Sequence, residues 1–185
     1  MSGEHPGCRV HEPVTDADRR VIAEQLGRAP RATQAVVHRC SCGLPDVVQT
    51  APRLEDGTPF PTLYYLTCPR AASAIGRIEA SGRMSRMTDR LREEPELAAA
   101  YEAAHRDYLA RRDAIERLPG DPHAGGMPTR VKCLHVLVAH ALAVGPGIQP
   151  LGDEVLAELP DWGARGPCVA PTAEEPAEPS PGDQA

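Results

Sequence analysis

The chain has 185 residues, of which 41% are apolar, and this is enough for one domain of about 150 residues with a buried core. A wholly disordered chain is therefore excluded. The formal net charge of −6, from 20 basic and 26 acidic residues, argues against nucleic acid as a partner. Lys132 is the single lysine beside many arginines, alanines, prolines and glycines, a composition typical of GC-rich bacterial genomes.

The sequence predicts a cytoplasmic protein with no membrane insertion. The first twenty residues lack an apolar segment, and no run approaches the roughly 20 apolar residues of a membrane helix. In a reducing compartment, cysteines point to metal binding or thiol chemistry rather than to a disulfide framework. The six cysteines are Cys8, Cys40, Cys42, Cys68, Cys133 and Cys168.

The first half of the chain predicts a helix and three strands after a disordered N-terminal tail at residues 1–13. Capping residues and a closing Gly27 predict a short helix over residues 16–26. β-Branched runs predict strands at residues 33–38, 46–50 and 62–67. Cys40 and Cys42 then lie in the turn of a β-hairpin.

The second half predicts helices only. Cys68 is expected at the N-cap of a helix that runs to about Glu79, because Pro69 suits the first helical position. Further helices are predicted at about 83–94, 95–118, 130–144 and 153–159, with a disordered Pro/Glu-rich tail at 161–185. The domain spans residues 14–160. This order predicts an α+β fold class, with a small antiparallel β-sheet of about three strands followed by and packed against several α-helices.

The cysteines and two histidines predict a shared metal centre. In a regular helix Cys133 and His140 lie on one face, since they are seven residues apart, and His135 points away. If Cys133 lies in an irregular first turn, His135 takes the place of His140. The predicted ligands are Cys40, Cys42, Cys68, Cys133, His135 and His140. Such a set would hold structural zinc or an iron–sulfur cluster, unless the cysteines are only buried packing residues.

A second interpretation makes Cys68 the nucleophile of a thiol-dependent enzyme. The helix N-terminus would lower the pKa of its thiol, and His135 or His140 would act as the base. Cys8 and Cys168 lie in the predicted tails and are expected to be inert.

Two basic features suggest ligands or partners. Arg130 and Lys132 follow a glycine-rich loop at the predicted start of a helix, a weak pattern for binding a small anion such as phosphate. Arg83, Arg86 and Arg90 recur at helical spacing and predict a basic helix face. Without interleaved aromatic residues, that face is expected to meet solvent or a protein partner rather than RNA.

Several segments resemble the bacterial family of unknown function named DUF501. They are residues 52–69, with Phe60-Pro61-Thr62 and Thr67-Cys68-Pro69, and Val131-Lys132-Cys133-Leu134-His135, with weaker likeness at 78–82 and 125–127. The likeness spans about residues 15–157. The resemblance implies that the family's recurring cysteines and histidine fall on Cys40, Cys68, Cys133 and His135, with His140 nearby, whereas Cys42 is less typical.

The resemblance implies no established activity. Genes of the family often lie beside those of a septum-formation-initiator-like protein and an exopolyphosphatase, which suggests a link to the cell envelope or to phosphate metabolism. Three hypotheses therefore stand: a metal protein with a structural or redox-sensing role, a thiol-dependent enzyme, and a non-catalytic interaction protein.

Overall fold

A computed structural model describes residues 7–120 and 122–170 of the chain. Its strands form one antiparallel sheet in the order β1-β2-β3-β4, so that strands consecutive in sequence are neighbours in space. They are β1 (Gly7–Pro13), β2 (Thr33–Cys40), β3 (Pro45–Thr50) and β4 (Tyr64–Leu66). β-Branched and aromatic side chains favour the pleated conformation of the last three.

Six helices complete the described part of the chain. They are α1 (Asp16–Leu26), α2 (Pro69–Ala80), α3 (Arg83–Glu93), α4 (Pro95–Asp113), α5 (Leu134–Val144) and α6 (Pro150–Glu158). Thr15 and Asp18 cap α1 reciprocally, and Gly27 ends it in the left-handed conformation. The predicted α+β fold class is confirmed, with one strand more than expected. Among these helices none combines the length and apolarity required to cross a bilayer.

Helix α5 is the centre of the core. It contacts all four strands and also α2 and α6. Leu134, Leu137, Val138 and Ala139 are fully buried. Because neighbours surround α5, its sequence is apolar on nearly every side. The start of α5 is thereby held in a fixed position beside α2.

The N-terminal segment differs from the prediction. Residues 7–13 were expected in a disordered tail, but they form β1, which pairs with β2 from Gly7↔Cys40 to Pro13↔Ala35. Nearly all β1 side chains are exposed, so backbone hydrogen bonds rather than burial define this edge strand. Residues 1–6, the rest of the predicted tail, lie outside the described residues.

The C-terminal boundary also differs. Residues 161–170 were placed in a tail, yet Trp162 is 5% exposed and its Nε1 donates to Asp46 Oδ2 at 3.1 Å. Arg70 donates to the carbonyl oxygens of Gly166 and Pro167 at 2.8 and 2.9 Å. The segment therefore packs on the sheet and on α2. Residues 171–185 of the predicted tail lie outside the described residues.

The end of α4 and the start of α5 differ from the predicted positions. α4 ends at Asp113 rather than near Leu118, and Ile115 and Glu116 both donate their amides to the Arg112 carbonyl as the chain turns. α5 begins at Leu134 rather than near Arg130. The Arg130 and Lys132 amides donate to the carbonyls of Gly126 and Gly125, which holds the preceding segment in turns.

Candidate metal site

The start of α5 brings together side chains from two helices. Cys133 is the N-cap of α5 and has an extended backbone, with φ −152° and ψ 113°, and His135 is the second residue of the helix. Glu79 lies in the last turn of α2. Because Cys133 is not helical, the seven-residue spacing does not place it on the face of His140. Of the two arrangements considered above, the structure has the one in which Cys133 precedes the regular helix, and His135 rather than His140 lies near it.

Glu79, Cys133 and His135 form the α2–α5 site. Their potential ligand atoms all lie within 4.8 Å of one another, and all three residues are half-buried. Within residues 7–120 and 122–170 no other group of three such side chains meets this criterion. Each of the three residues is thus partly accessible to solvent.

Glu79 has two partners at the site. Its Oε1 accepts the backbone N–H of Leu134 at 2.6 Å and lies 3.2 Å from His135 Nδ1. The first bond satisfies an amide at the N-terminus of α5 that has no partner within the helix. A carboxylate in the last turn of α2 opposes the dipole of its own helix, but it complements the N-terminus of α5.

His135 is oriented by the backbone of α2. Its Nε2 lies 3.1 Å from the Ala72 carbonyl oxygen, which can only accept a hydrogen bond, so Nε2 carries the proton. In the neutral ring, Nδ1 then holds a lone pair directed at Glu79 and Cys133. The hydrogen bond with Cys133, followed by the charge of Glu79, raises the pKa of His135 to about 9.

The other predicted ligands lie elsewhere. Cys40 and Cys42 form a disulfide in the turn between β2 and β3. Cys68 is buried at the N-cap of α2, in the core cluster against which Cys168 packs. A single centre built from the hairpin, the start of α2 and the start of α5 is therefore not what the structure forms, because these cysteines fall into separate pairs.

The environment of Cys68 also differs from the one expected for a nucleophile. The hydrogen bond with Cys168, together with burial, raises the pKa of the Cys68 thiol instead of lowering it. Only 1% of Cys68 is exposed. The helix N-terminus is outweighed here because a buried thiolate loses its hydration.

His140 belongs to the core rather than to the α2–α5 site. Its Nε2 lies 2.9 Å from Asp107 Oδ2, and its ring packs between those of Tyr64 and Tyr108. The neutral ring donates Nε2–H to Asp107, and Nδ1 then accepts from Gln149 Nε2 at 3.5 Å. His140 is fully buried, and these hydrogen bonds account for a polar side chain on an otherwise apolar helix.

The family model for the protein of unknown function DUF501 matches residues 36–157. The chain belongs to the DUF501 family. The resemblance noted in the sequence is thereby confirmed, and the matched region contains the whole α2–α5 site. No curated protein and no solved structure matches the chain.

The region matched by the DUF501 model also includes the Arg130–Lys132 segment and the basic face of Arg83, Arg86 and Arg90. Arg130 and Lys132 are exposed in the segment that precedes Cys133. On the predicted basic face, Arg83 pairs with Glu154 and Glu158 of α6, and Arg90 with Glu154. These ion pairs join α3 to α6, so the two arginines hold the domain together as well as facing solvent. Anion and partner binding stay predictions.

A cavity of about 300 Å³ lies at one end of this basic face. It is lined by Arg77, Arg83 and Arg86 together with Ser81 and Glu158. Arg86 also donates to the Ser81 carbonyl at 3.0 Å. The cavity belongs to the face for which a protein partner was predicted and is separate from the anion site predicted at Arg130 and Lys132.

The buried His140 predicts a dependence of stability on pH. Burial lowers its pKa below 6.5 in the folded protein, so the unfolded chain binds more protons. The stability that this neutral histidine contributes is present above pH 6.5 and is lost as the pH falls through the lowered pKa. We expect His140→Gln to lose less free energy of unfolding than the parent protein between pH 7 and pH 5.5.

Urea titrations at the two pH values measure this difference. The pH dependence of His140→Gln must be compared with that of the parent protein, because the raised pKa of His135 changes stability in the opposite direction. The stability that protonated His135 contributes is fully present below pH 6.5 and is lost as the pH rises towards about 9. An identical pH dependence for His140→Gln and the parent protein would show that His140 is not the group responsible.

Proposed function

We propose that the chain binds one zinc ion through Cys133 Sγ, His135 Nδ1 and a carboxylate oxygen of Glu79. The observation that carries the proposal is the 3.2 Å contact between His135 Nδ1 and Glu79 Oε1, with Cys133 adjacent. The Ala72 carbonyl keeps a proton on Nε2, so Nδ1 is the ring nitrogen that faces Glu79 and is available to a metal. In the metal-free protein a proton on Nδ1 lies between the two atoms, in keeping with the raised pKa of His135, and zinc would take the place of that proton.

The donor set favours zinc over the alternatives. Zinc takes thiolate, imidazole and carboxylate ligands, whereas iron–sulfur clusters are held mainly by several thiolates and magnesium by oxygen atoms. The α2–α5 site supplies one ligand of each zinc-compatible type. In a tetrahedral site with bonds of about 2.0–2.3 Å, neighbouring ligand atoms lie about 3.5 Å apart. Small side-chain movements reach this spacing.

Zinc at this position would have a structural role with a redox component. It would join the end of α2 to the start of α5, the central helix of the core. Three protein ligands leave the fourth position to water or to a small ligand. Oxidation of the Cys133 thiolate would remove one ligand and release the metal, so a reducing cytoplasm would keep the site competent.

A zinc competition titration with a chromogenic chelator tests the proposal. We expect one zinc per chain in the parent protein. Loss of an outer-shell partner already lowers zinc affinity about 10–100-fold, so Cys133→Ser, which removes a ligand, is expected to lower it by about 100-fold or more. Glu79→Gln keeps an oxygen to accept the Leu134 amide while removing the negative ligand, so it separates metal binding from helix capping.

Two control variants locate the metal. Cys8→Ser alters an exposed cysteine of β1, and Cys68→Ser alters the buried thiol at the start of α2. Neither is expected to change zinc affinity. Retained affinity in Cys133→Ser, or its loss in Cys68→Ser, would place the metal away from the α2–α5 site and contradict the proposal.

The same geometry supports a second candidate, a thiol-dependent activity of Cys133 in the metal-free protein. Cys133 is the N-cap of α5, and its Sγ lies within 4.8 Å of a ring nitrogen of His135, close enough for the histidine to act as a base towards the thiol. This moves the predicted nucleophile from Cys68 to Cys133. Rapid alkylation of Cys133 by iodoacetamide that stoichiometric zinc fails to slow would favour this candidate over the zinc site.

A further inference from the structure

A second thiol site lies at the N-terminus of α2, where Cys68 meets the C-terminal segment. Cys168 packs against the buried cluster that contains Cys68, and Gln25 Nε2 lies 3.3 Å from Cys168 Sγ. Cys68 is fully buried and Cys168 is half-buried. The two thiols therefore lie close enough to influence each other, and Cys168 is the more accessible of the two.

Several hydrogen bonds hold the pair in place. Arg70, two residues after Cys68, donates to the carbonyl oxygens of Gly166 and Pro167, the two residues before Cys168. From the opposite side, Gln25 Nε2 also donates to the Pro45 carbonyl at 2.8 Å. The backbone on each side of the thiols is thus fixed, so their contact does not depend on an unattached tail.

The two thiols differ in chemistry as well as in exposure. The hydrogen bond from Cys68, supported by the one from Gln25, lowers the pKa of the Cys168 thiol. The same hydrogen bond and burial raise the pKa of Cys68. An accessible thiolate beside a buried thiol is the arrangement in which the first sulfur is oxidised and the second resolves it.

We propose that Cys68 and Cys168 form a redox-active dithiol that hydrogen peroxide oxidises to a disulfide. The Cys168 thiolate attacks one peroxide oxygen: an S–O bond forms, the O–O bond breaks, and the leaving hydroxide takes a proton to become water. The Cys68 sulfur then attacks the sulfenic acid. The S–S bond forms as the S–O bond breaks, and the hydroxyl group leaves as water with the Cys68 proton. Two electrons pass from the sulfurs to the peroxide.

The dithiol is independent of the proposed zinc site. Its members, its hydrogen-bond partner Gln25 and the clamp from Arg70 contain no residue of the α2–α5 site. The disulfide would close a loop of about 100 residues and tie the C-terminal segment covalently to the start of α2. Failure of one proposal therefore leaves the other standing.

Peptide mapping of the full chain after oxidation tests the proposal. The protein is reduced, freed of reductant and treated with one equivalent of hydrogen peroxide, and its thiols are then alkylated. We expect a Cys68–Cys168 linked peptide, a loss of two titratable thiols and, in a sample taken before alkylation, a fall in intact mass of about 2 Da. Cys8→Ser is the matched control, because it removes an exposed cysteine outside the pair and should give the same result.

Variants of the pair complete the test. Cys168→Ser is expected to abolish both the linked peptide and the loss of two thiols, and Cys168→Ala provides a second variant of this half-buried position if the serine form folds poorly. Circular dichroism checks the fold of each. A disulfide that joins Cys68 or Cys168 to any other cysteine, conversion of Cys168 to its sulfinic acid without a link, or an unchanged thiol count would overturn the proposal.

Discussion

Replacing Tyr108 with alanine is expected to lower the free energy of unfolding by about 3–5 kcal/mol, the range found when large buried aromatic side chains are truncated. Tyr108 is fully buried on α4, and its ring makes edge contacts with Tyr64 of β4 and His140 of α5. Its hydroxyl oxygen accepts the Leu63 amide at 2.6 Å. One side chain thus joins three elements around the core.

Urea unfolding of two further variants separates the contribution of the Tyr108 hydroxyl from that of its ring. Tyr108→Phe keeps the ring but leaves the buried Leu63 amide without its acceptor, so we expect a loss of about 1–3 kcal/mol. Tyr65→Phe is the matched control, because the Tyr65 hydroxyl makes only an exposed 3.4 Å contact with Arg28. A Tyr108→Ala variant that is as stable as this control would contradict the described packing of α4.

Replacing Asp46 with alanine is expected to cost about 2–6 kcal/mol, because it leaves two buried hydrogen-bond donors without an acceptor, at about 1–3 kcal/mol each. Asp46 is fully buried in β3. It accepts a hydrogen bond from His38 Nδ1 at 2.6 Å and one from Trp162 Nε1 at 3.1 Å. The carboxylate therefore joins β2 and β3 to the C-terminal segment.

Denaturant unfolding and tryptophan fluorescence measure this prediction together, since Trp162 is the single tryptophan of the chain. Asp46→Asn keeps an oxygen acceptor and the volume of the side chain, so its loss of stability should be clearly smaller. An Asp46→Ala variant with unchanged stability and unchanged emission would show that the C-terminal segment does not depend on this carboxylate.

The sequence predicted the elements whose side chains are buried in a regular pattern. The apolar runs of β2 and β3, the capping residues of α1 and the Cys68-Pro69 start of α2 each carry a local signal that the structure confirms. β1 carries none, because its side chains are exposed and its pairing partner is distant in sequence. Trp162 was the overlooked signal at the other end, since a large aromatic residue favours burial.

The candidate site was predictable only in part. Cys133 and His135 were identified, but the choice between His135 and His140 depended on whether Cys133 was helical, which its sequence does not determine. Glu79 was missed as a ligand. Its position in the last turn of α2, where a negative charge is unfavourable, was the available signal. Cys168 was missed because proline-rich composition placed it in a tail, although hydrogen bonds from Gln25 and Arg70 fix that segment.

Anomalous diffraction at the zinc edge, from crystals grown with one equivalent of zinc, tests the central claim most directly. We predict one strong peak within about 2.0–2.3 Å of Cys133 Sγ, His135 Nδ1 and a Glu79 carboxylate oxygen. A peak beside Cys68 and Cys168, or no peak at the α2–α5 site in crystals that contain zinc, would contradict it.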